Sequence, residues 1–151
     1  MFDVFGFYKF KQLQSLKKKK YLLQKSLIEQ NIYGTIILAK EGVNATIAGK
    51  SLNIRFIVNK IKKTLDIKNF DSENISKCKF QPFHRAKAKI KKEIVPMKLS
   101  LSPKTKNKNN YIEPNKWNKL IKDKNTLVLD SRKPFEYDVG TFNKSINPKV
   151  D

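Results

Sequence analysis

Two apolar, strand-like segments joined by a tight turn lie between two amphipathic segments, and this order restricts the folds that the chain can adopt. The strand-like pair is Ile32 to Ala39 and Val43 to Gly49, with the turn at Glu41-Gly42. One predicted helix runs from about Gln12 to Gln30, and the other begins at the N-cap Ser51. Because neither helix can bury its apolar side alone, we expect both to cover a sheet that contains the hairpin.

Further strand-like segments flank these four elements. Val4 to Phe10 is rich in aromatic and β-branched residues. After a polar stretch, Lys77 to Phe83 and Ala86 to Val95 are predicted to be extended, and Pro96 ends the second of them. The order β-α-β-β-α-β predicts an α+β protein with a ferredoxin-like βαββαβ domain over residues 1–97, in which two helices cover one face of an antiparallel sheet.

The remainder of the sequence begins a second domain. Residues 98–110 are polar, rich in Lys and Asn and without periodicity, which predicts a linker. A helix that starts near Pro114 and a strand from Thr126 to Asp130 then indicate the start of an α/β unit over residues 111–151. A parallel sheet needs several strands with helices on both sides, so we expect this second domain to be incomplete in the sequence.

The chain carries a formal net charge of +20, almost all of it from lysine. Such a charge is typical of proteins that neutralise phosphates, but abundant Lys, Asn and Ile also follow from an AT-rich coding sequence, and both interpretations stay open. The single cysteine, Cys78, cannot form an internal disulfide, and the sequence shows neither a signal peptide nor a membrane-length apolar run. We therefore expect a cytoplasmic protein with no membrane partner.

Four blocks of the sequence carry a resemblance to a known family. They are GTIILAKEGVNATIAG (Gly34 to Gly49), FHRAKAKIKKEIVPM (Phe83 to Met97), YIEPNKWNKLI (Tyr111 to Ile121) and LVLDSRKPFEYDVGTFNKSINPKV (Leu127 to Val150). Together and in this order they resemble the bacterial rhodanese-domain tRNA uridine(34) hydroxylases. The resemblance implies an acylphosphatase-like (ferredoxin-like) domain followed by a rhodanese domain. It also implies conversion of the wobble uridine of certain tRNAs to 5-hydroxyuridine, with molecular oxygen as co-substrate and no bound metal, flavin or haem.

The family's essential group is a cysteine in a loop of the rhodanese domain, where converging backbone N–H groups and arginine lower the pKa of a thiol. That loop follows the Asp-x-Arg turn by some tens of residues, so the resemblance places it beyond Asp151. Cys78 matches no catalytic position, and we interpret both Cys78 and His84 as structural residues. No catalytic residue is therefore assigned in this chain. We expect it to dock tRNA and to be inactive alone, with a separate polypeptide as one possible source of the missing loop.

Other residues match the signature at the rim of a rhodanese site. They are Asp130, Arg132, Glu136 and Gly140. The alternative for Arg132 is an internal ion pair with Glu136 or Asp138, and this alternative is favoured over contact with a substrate.

The candidates for tRNA contact lie on the last strand of the first domain. We call them the basic stripe: Arg85, Lys87, Lys89, Lys91 and Lys92. The four odd-numbered members share one face of a strand and leave Ala86, Ala88 and Ile90 for the core, an arrangement that suits contact with backbone phosphates.

Two other polar segments are interpreted as structural. Lys17 to Lys20 wind round a helix and predict a solvated surface. The segment Glu41 to Asn44 predicts a hairpin turn in which Gly42 and Asn44 take unusual backbone angles.

Two other functions stay open. One is a rhodanese-type sulfurtransferase fragment, which fold alone does not separate from a hydroxylase. The other is a non-catalytic basic RNA-binding module, which predicts salt-sensitive binding of tRNA and no chemistry.

Overall fold

The computed structural model describes residues 1–94 and 112–149. The chain divides into two compact units, Met1–Thr105 and Lys106–Asp151. The predicted linker at 98–110, the predicted boundary at residue 97 and the predicted strand end at Pro96 lie outside the described residues. Each unit is described by itself.

Within residues 1–94, the first unit has two helices and five strands. In chain order they are β1 (Phe2–Phe10), α1 (Leu16–Glu29), β2 (Tyr33–Ala39), β3 (Gly42–Gly49), α2 (Ser51–Leu65), β4 (Ser72–Cys78) and β5 (Ala86–Ile90). The strands form one sheet in the order β4-β1-β3-β2-β5. β1 pairs antiparallel with β3 and β4, β3 pairs antiparallel with β2, and β5 lies parallel to β2. The predicted ferredoxin-like order is confirmed, with β5 as an additional edge strand.

Both helices pack on one face of this sheet. Phe5 and Phe7 of β1 alternate with half-buried neighbours. They join the same apolar cluster as Leu23 and Leu27 of α1 and Ile57 of α2. The opposite face of the sheet, which we call the open face, carries the residues of the other parity. Burial of the apolar cluster is the main favourable contribution to the stability of this unit.

The fourth strand lies where the sequence predicted only a polar stretch. β4 covers Ser72–Cys78, whereas the predicted strand Lys77 to Phe83 overlaps it by two residues and is otherwise the connection to β5. Six of the seven residues of β4 are exposed, because β4 is an edge strand. Its sequence therefore has no apolar alternation. The strand predicted from Ala86 to Val95 is also shorter and ends at Ile90.

The end of α1 agrees with the predicted helix end at about Gln30. Asn31 has a left-handed backbone (φ 50°), and the N–H groups of Asn31 and Ile32 donate to the carbonyls of Ile28 and Leu27. These two bonds are the Schellman arrangement that satisfies the last carbonyls of a helix. Ile32, fully buried, then starts the path into β2.

The hairpin between β2 and β3 agrees with the prediction at Gly42 but not at Asn44. A Cβ atom at Gly42 would lie 2.1 Å from the carbonyl oxygen of Lys9, so only glycine fits there. Asn44 lies inside β3 and is not among the residues with positive φ, so its predicted unusual backbone is wrong. Its side chain instead donates to the carbonyl of Ile94 (3.2 Å), whose N–H donates to the carboxylate of Glu41 (2.7 Å). The hairpin thus anchors the segment that follows β5.

The open edge of β5 is closed by one side chain from α1. The amide of Gln24 donates from Nε2 to the carbonyl of Ala86 (2.8 Å) and accepts at Oε1 from the N–H of Ala88 (2.7 Å). Gln24 therefore satisfies the groups that a neighbouring strand would otherwise pair with.

The second unit contains two short helices, α3 (Pro114–Leu120) and α4 (Pro134–Val139). Pro114 occupies the first turn of α3, as predicted. The strand predicted from Thr126 to Asp130 is wrong: within the described residues this segment makes only an isolated parallel bridge, Leu129 to Ile146. A buried parallel strand needs pairing on both sides, and a single bridge does not supply it.

The substitution Gly34→Ala is expected to destabilise the first unit. Gly34 has φ 120°, and a Cβ atom there would lie 2.2 Å from the carbonyl oxygen of Thr46 in the adjacent strand. The strained backbone and the overlap together predict a loss of about 3 kcal/mol in the free energy of unfolding, measured by urea denaturation. Gly6→Ala is the control, since its Cβ would meet nothing closer than 3.9 Å. Equal effects of the two substitutions would contradict this account.

Replacing Gln24 by Met is expected to lower the free energy of unfolding by about 1–3 kcal/mol. Methionine keeps the length of the side chain but leaves the carbonyl of Ala86 and the buried N–H of Ala88 unpaired. Lys20→Met, at an exposed position of the same helix, controls for the composition change. Equal stability of Gln24→Met and wild type would show that Gln24 does not close the edge.

Candidate nucleic-acid interface

The register of β5 turns Lys87 and Lys89 of the basic stripe to the open face. Lys87 lies opposite Thr35 and Lys89 opposite Ile37, whereas Ala88 lies opposite the buried Ile36. Lys87 is half-buried and the other four members of the stripe are exposed. The predicted burial of Ala88 is confirmed. The predicted core position of Ile90 is wrong, because Ile90 is 40% exposed at the end of the edge strand.

Small polar side chains continue from the stripe across the open face. The cross-strand pairs put Lys87, Thr35, Thr46, Gly6 and Asn74 in one row that spans all five strands. Thr46 and Asn74 are exposed, and Gly6 has no side chain. The row is therefore a flat polar surface with positive charge at one edge. Because it is open rather than enclosed, it suits an extended polymer better than a small ligand.

The lysines at the start of α1 form a different kind of surface. Lys17, Lys18 and Lys20 are exposed and Lys19 is half-buried, and the first turn of the helix has no acidic residue. They project around the helix axis, as predicted, and Lys17 and Lys18 line a shallow cavity with Ile90 at the end of β5.

A cavity of about 550 Å³ lies at the end of the sheet where β1 and β2 begin. We call it the sheet-end cavity, and its lining residues are Phe2, Asn31, Tyr33, Lys50, Asn53, Gln81, Phe83 and His84. The connection from β4 to β5 supplies the last three of them. No motif or periodicity in the sequence indicates this site, because its residues come from four separate segments of the chain.

Cys78 and His84 lie near this end of the first unit but not together in a catalytic arrangement. Cys78 is half-buried in the last position of β4, opposite Phe2. His84 is exposed and lines the sheet-end cavity. Within residues 1–94 and 112–149, the His, Cys, Asp and Glu side chains form no group of three that could hold a metal ion.

In the second unit, Asp130 and Arg132 form a close ion pair. Arg132 donates from Nε to Oδ1 of Asp130 (2.9 Å) and from Nη2 to Oδ2 (2.5 Å). The hydrogen bonds from Arg132 hold the pKa of Asp130 far below its usual range, and Thr141 adds a further bond to the same carboxylate. The pKa of Arg132 is raised by the same partner. An internal ion pair of Arg132 was expected, but its partner is Asp130 rather than Glu136 or Asp138.

Only part of the predicted rim comes together. The carbonyl of Gly140 accepts from Nη2 of Arg132 (2.6 Å), so Asp130, Arg132 and Gly140 meet. Glu136 instead accepts from the N–H of Lys133 (3.2 Å) at the start of α4. Asp130, Arg132 and Gly140 line a cavity of about 600 Å³ with Trp117 and Phe142, whose rings pack edge to face.

Comparison with known proteins gives the family of the first unit. Residues 2–94 match the family model described as the UPF0176 acylphosphatase like domain. Solved structures similar to the chain include an acylphosphatase from Bacillus subtilis, at 12% identity and a TM-score of 0.42 over 60% of this chain and 98% of that one. An acylphosphatase from Coxiella burnetii is similar at 9% identity and a TM-score of 0.39, over 60% of this chain and 90% of its own.

A curated relative extends the similarity over both units. The chain is 71% identical over 150 residues to a tRNA uridine(34) hydroxylase of Pelagibacter ubique (strain HTCC1062). The alignment covers 99% of this chain and 50% of the relative, so the chain spans about half the length of the protein that it matches.

No helix in the described parts of the chain has the length and apolar character needed to cross a membrane.

The predicted resemblance to tRNA uridine(34) hydroxylases is confirmed by the relative, and the acylphosphatase-like fold is confirmed by the family model together with the sheet order. The chain belongs to the family of the UPF0176 acylphosphatase-like domain.

Proposed function

We propose that this chain is the tRNA-docking part of a tRNA uridine(34) hydroxylase that converts the wobble uridine to 5-hydroxyuridine in the cytoplasm. The observation that carries the proposal is the 71% identity to a protein of that name over 99% of the chain. A shared substrate is the simplest reason for so high an identity over almost the whole chain.

The basic stripe supplies the contact with tRNA. Residues two apart in a strand lie about 6.6–6.8 Å from each other on the same face, a spacing comparable with that of successive phosphates in an extended strand. Lys87 and Lys89 meet this condition on the open face, and Arg85 and Lys91 continue the series at either end. Such contacts position a nucleic acid without reading its sequence.

The chemistry belongs to a cysteine loop beyond Asp151, on the same or a separate polypeptide. Cys78 is not this cysteine, because it lies half-buried at the end of β4 in the first unit. Molecular oxygen is the co-substrate and no metal, flavin or haem is bound. The second unit is the beginning of the rhodanese domain. There Asp130, Arg132 and Gly140 form the rim through the ion pair and the carbonyl contact, while Glu136 caps α4.

A non-catalytic RNA-binding module is the second candidate. It is favoured by the exposed stripe and by the position of Cys78, which is half-buried at the end of an edge strand. The two proposals share tRNA binding and differ in whether modification depends on this chain.

A chimera tests the hydroxylase proposal. This chain replaces the matching half of the Pelagibacter ubique relative, and the product is expressed in cells that lack their own enzyme of this kind. We expect 5-hydroxyuridine at position 34 of tRNA, measured by mass spectrometry of nucleosides, and none with the 151-residue chain alone. Binding of tRNA without modification by the chimera would leave only the RNA-binding module. Sulfur transfer from thiosulfate to cyanide by the chimera, without 5-hydroxyuridine, would indicate a sulfurtransferase.

Removing charge from the stripe tests how the chain docks. The triple substitution Lys87→Ala, Lys89→Ala and Lys91→Ala is expected to weaken tRNA binding and to lower the slope of log affinity against log salt by about 2, at roughly 0.7 per lost phosphate contact. Filter binding at several salt concentrations measures both quantities.

The control for this experiment removes the same charge elsewhere. Lys60, Lys63 and Lys68 are exposed, and the first two lie on α2, on the opposite side of the sheet from the open face. Their replacement by Ala should leave the slope almost unchanged. Equal loss of slope in the two triple variants would mean that the charge acts without a defined surface.

A further inference from the structure

We propose that the sheet-end cavity binds one unpaired nucleobase of the RNA whose backbone follows the basic stripe. This inference rests on the proposed function, since it concerns a second contact with the same RNA. It adds what the stripe lacks: contact with a base rather than a phosphate.

Three aromatic rings give the cavity its apolar lining. Phe2 and Tyr33 start β1 and β2, and their parity in the register puts both side chains on the open face. Phe83 approaches from the connection between β4 and β5 and is half-buried. Among the ring pairs within the described residues, none joins any two of these three, so their faces are not stacked on one another. Base–aromatic stacking is the general means by which proteins hold single-stranded nucleic acid.

Gln81 lines the cavity, and its side chain carries a buried acceptor that has no hydrogen-bond partner within the described residues. Its Nε2 donates to the carbonyl of Ala48 (3.2 Å), and because a carbonyl only accepts, the amide cannot be turned the other way. Its Oε1 therefore points away from the carbonyl of Ala48. This atom is buried and has no hydrogen-bond partner among the described residues. Buried polar atoms of this kind call for an explanation. A base offers ring and exocyclic N–H donors that match such an acceptor.

The charged and amide groups at the mouth fit the rest of a nucleotide. Lys50 and His84 are exposed at the cavity, and Asn53 is held by a bond from its Nδ2 to the carbonyl of Gln30 (2.8 Å). Arg85, the first member of the basic stripe, follows His84 directly in sequence, and its carbonyl accepts from the N–H of Gly34, next to Tyr33. The basic stripe therefore begins beside the cavity, where one strand of RNA can contact both.

A ligand with flat faces and N–H donors accounts for this combination of groups. An aliphatic ligand would leave Oε1 of Gln81 unpaired, and a free phosphate would leave the three rings without a partner. The cavity volume of about 550 Å³ also lies in the range of small-molecule sites, large enough for one base with its ribose.

The test compares two RNA probes of equal length and charge. One is a uridine hexanucleotide, and the other is the same ribose–phosphate backbone without bases. We expect the complete chain to bind the base-bearing probe about tenfold more tightly, as stacking of one base provides. Fluorescence anisotropy with end-labelled probes measures both affinities.

Substitutions test whether the preference for the base-bearing probe arises at the sheet-end cavity. Phe83→Leu and Gln81→Met should each reduce the preference for the base-bearing probe at least severalfold and leave the slope against salt unchanged. Phe83→Tyr keeps the ring and should keep the preference. Phe80→Leu is the matched control, because Phe80 is 67% exposed in the same connection and does not line the cavity. Thermal unfolding of each variant identifies any that fails to fold. Because Phe83→Leu and Gln81→Met change different side chains, either one that folds carries the comparison with Phe80→Leu.

The outcomes separate this inference from the function on which it rests. Equal, salt-dependent binding of the two probes would keep the stripe and overturn the base site. A preference that survives Phe83→Leu and Gln81→Met would place the base elsewhere and also overturn it. Absence of binding by either probe and by tRNA would overturn the base site together with the docking proposal.

Discussion

The parallel pairing of β5 with β2 is the constraint on which the candidate interface depends. A slip of one residue would turn every side chain of β5 to the other face and bury lysines against the helices. The pairing is tied at both ends, from the N–H of Gly34 to the carbonyl of Arg85 (2.8 Å) and from the N–H of Lys91 to the carbonyl of Leu38 (2.9 Å). Gly34 also lets β3 approach so closely that no Cβ atom fits. Gly34 thus holds β2 against both β3 and β5, and the register of β5 determines the face on which the stripe lies.

The same register brings the two candidate contact surfaces into one continuous region. The beginning of β2 contributes Tyr33 to the sheet-end cavity, and the next residue receives the beginning of β5. The connection that must cross from β4 at one edge to β5 at the other passes this end of the sheet, where Gln81 bonds to the carbonyl of Ala48. The cavity is therefore a consequence of adding a fifth strand parallel to β2, which forces a long connection over the ends of the central strands.

Apolar periodicity in the sequence predicted the elements that bury a face and failed for those that do not. Ile36, Leu38, Val43 and Ile47 are buried in the predicted hairpin, so their pattern was a reliable guide. β4 has both faces exposed and no such pattern. The predicted partners of Arg132 were chosen from helical spacing. In the structure a turn brings the Arg132 side chain back to Asp130, two residues earlier in the chain. The sheet-end cavity was beyond prediction because pairing between distant segments assembles it.

The position of the lysines on β5 bears on whether they serve the fold or a ligand. Lysines on an edge strand commonly prevent a second sheet from adding to that edge. Here Gln24 already occupies the outward groups of Ala86 and Ala88, in the middle of the strand. Lys87 and Lys89 lie on the open face rather than across the edge, and Lys87 is in a row with Thr35 and Thr46. Protection of the edge thus does not account for them, and concentrating like charges on one strand is unfavourable for folding in itself. A polyanion on the open face would relieve that repulsion, and this is the physical argument for a role in binding.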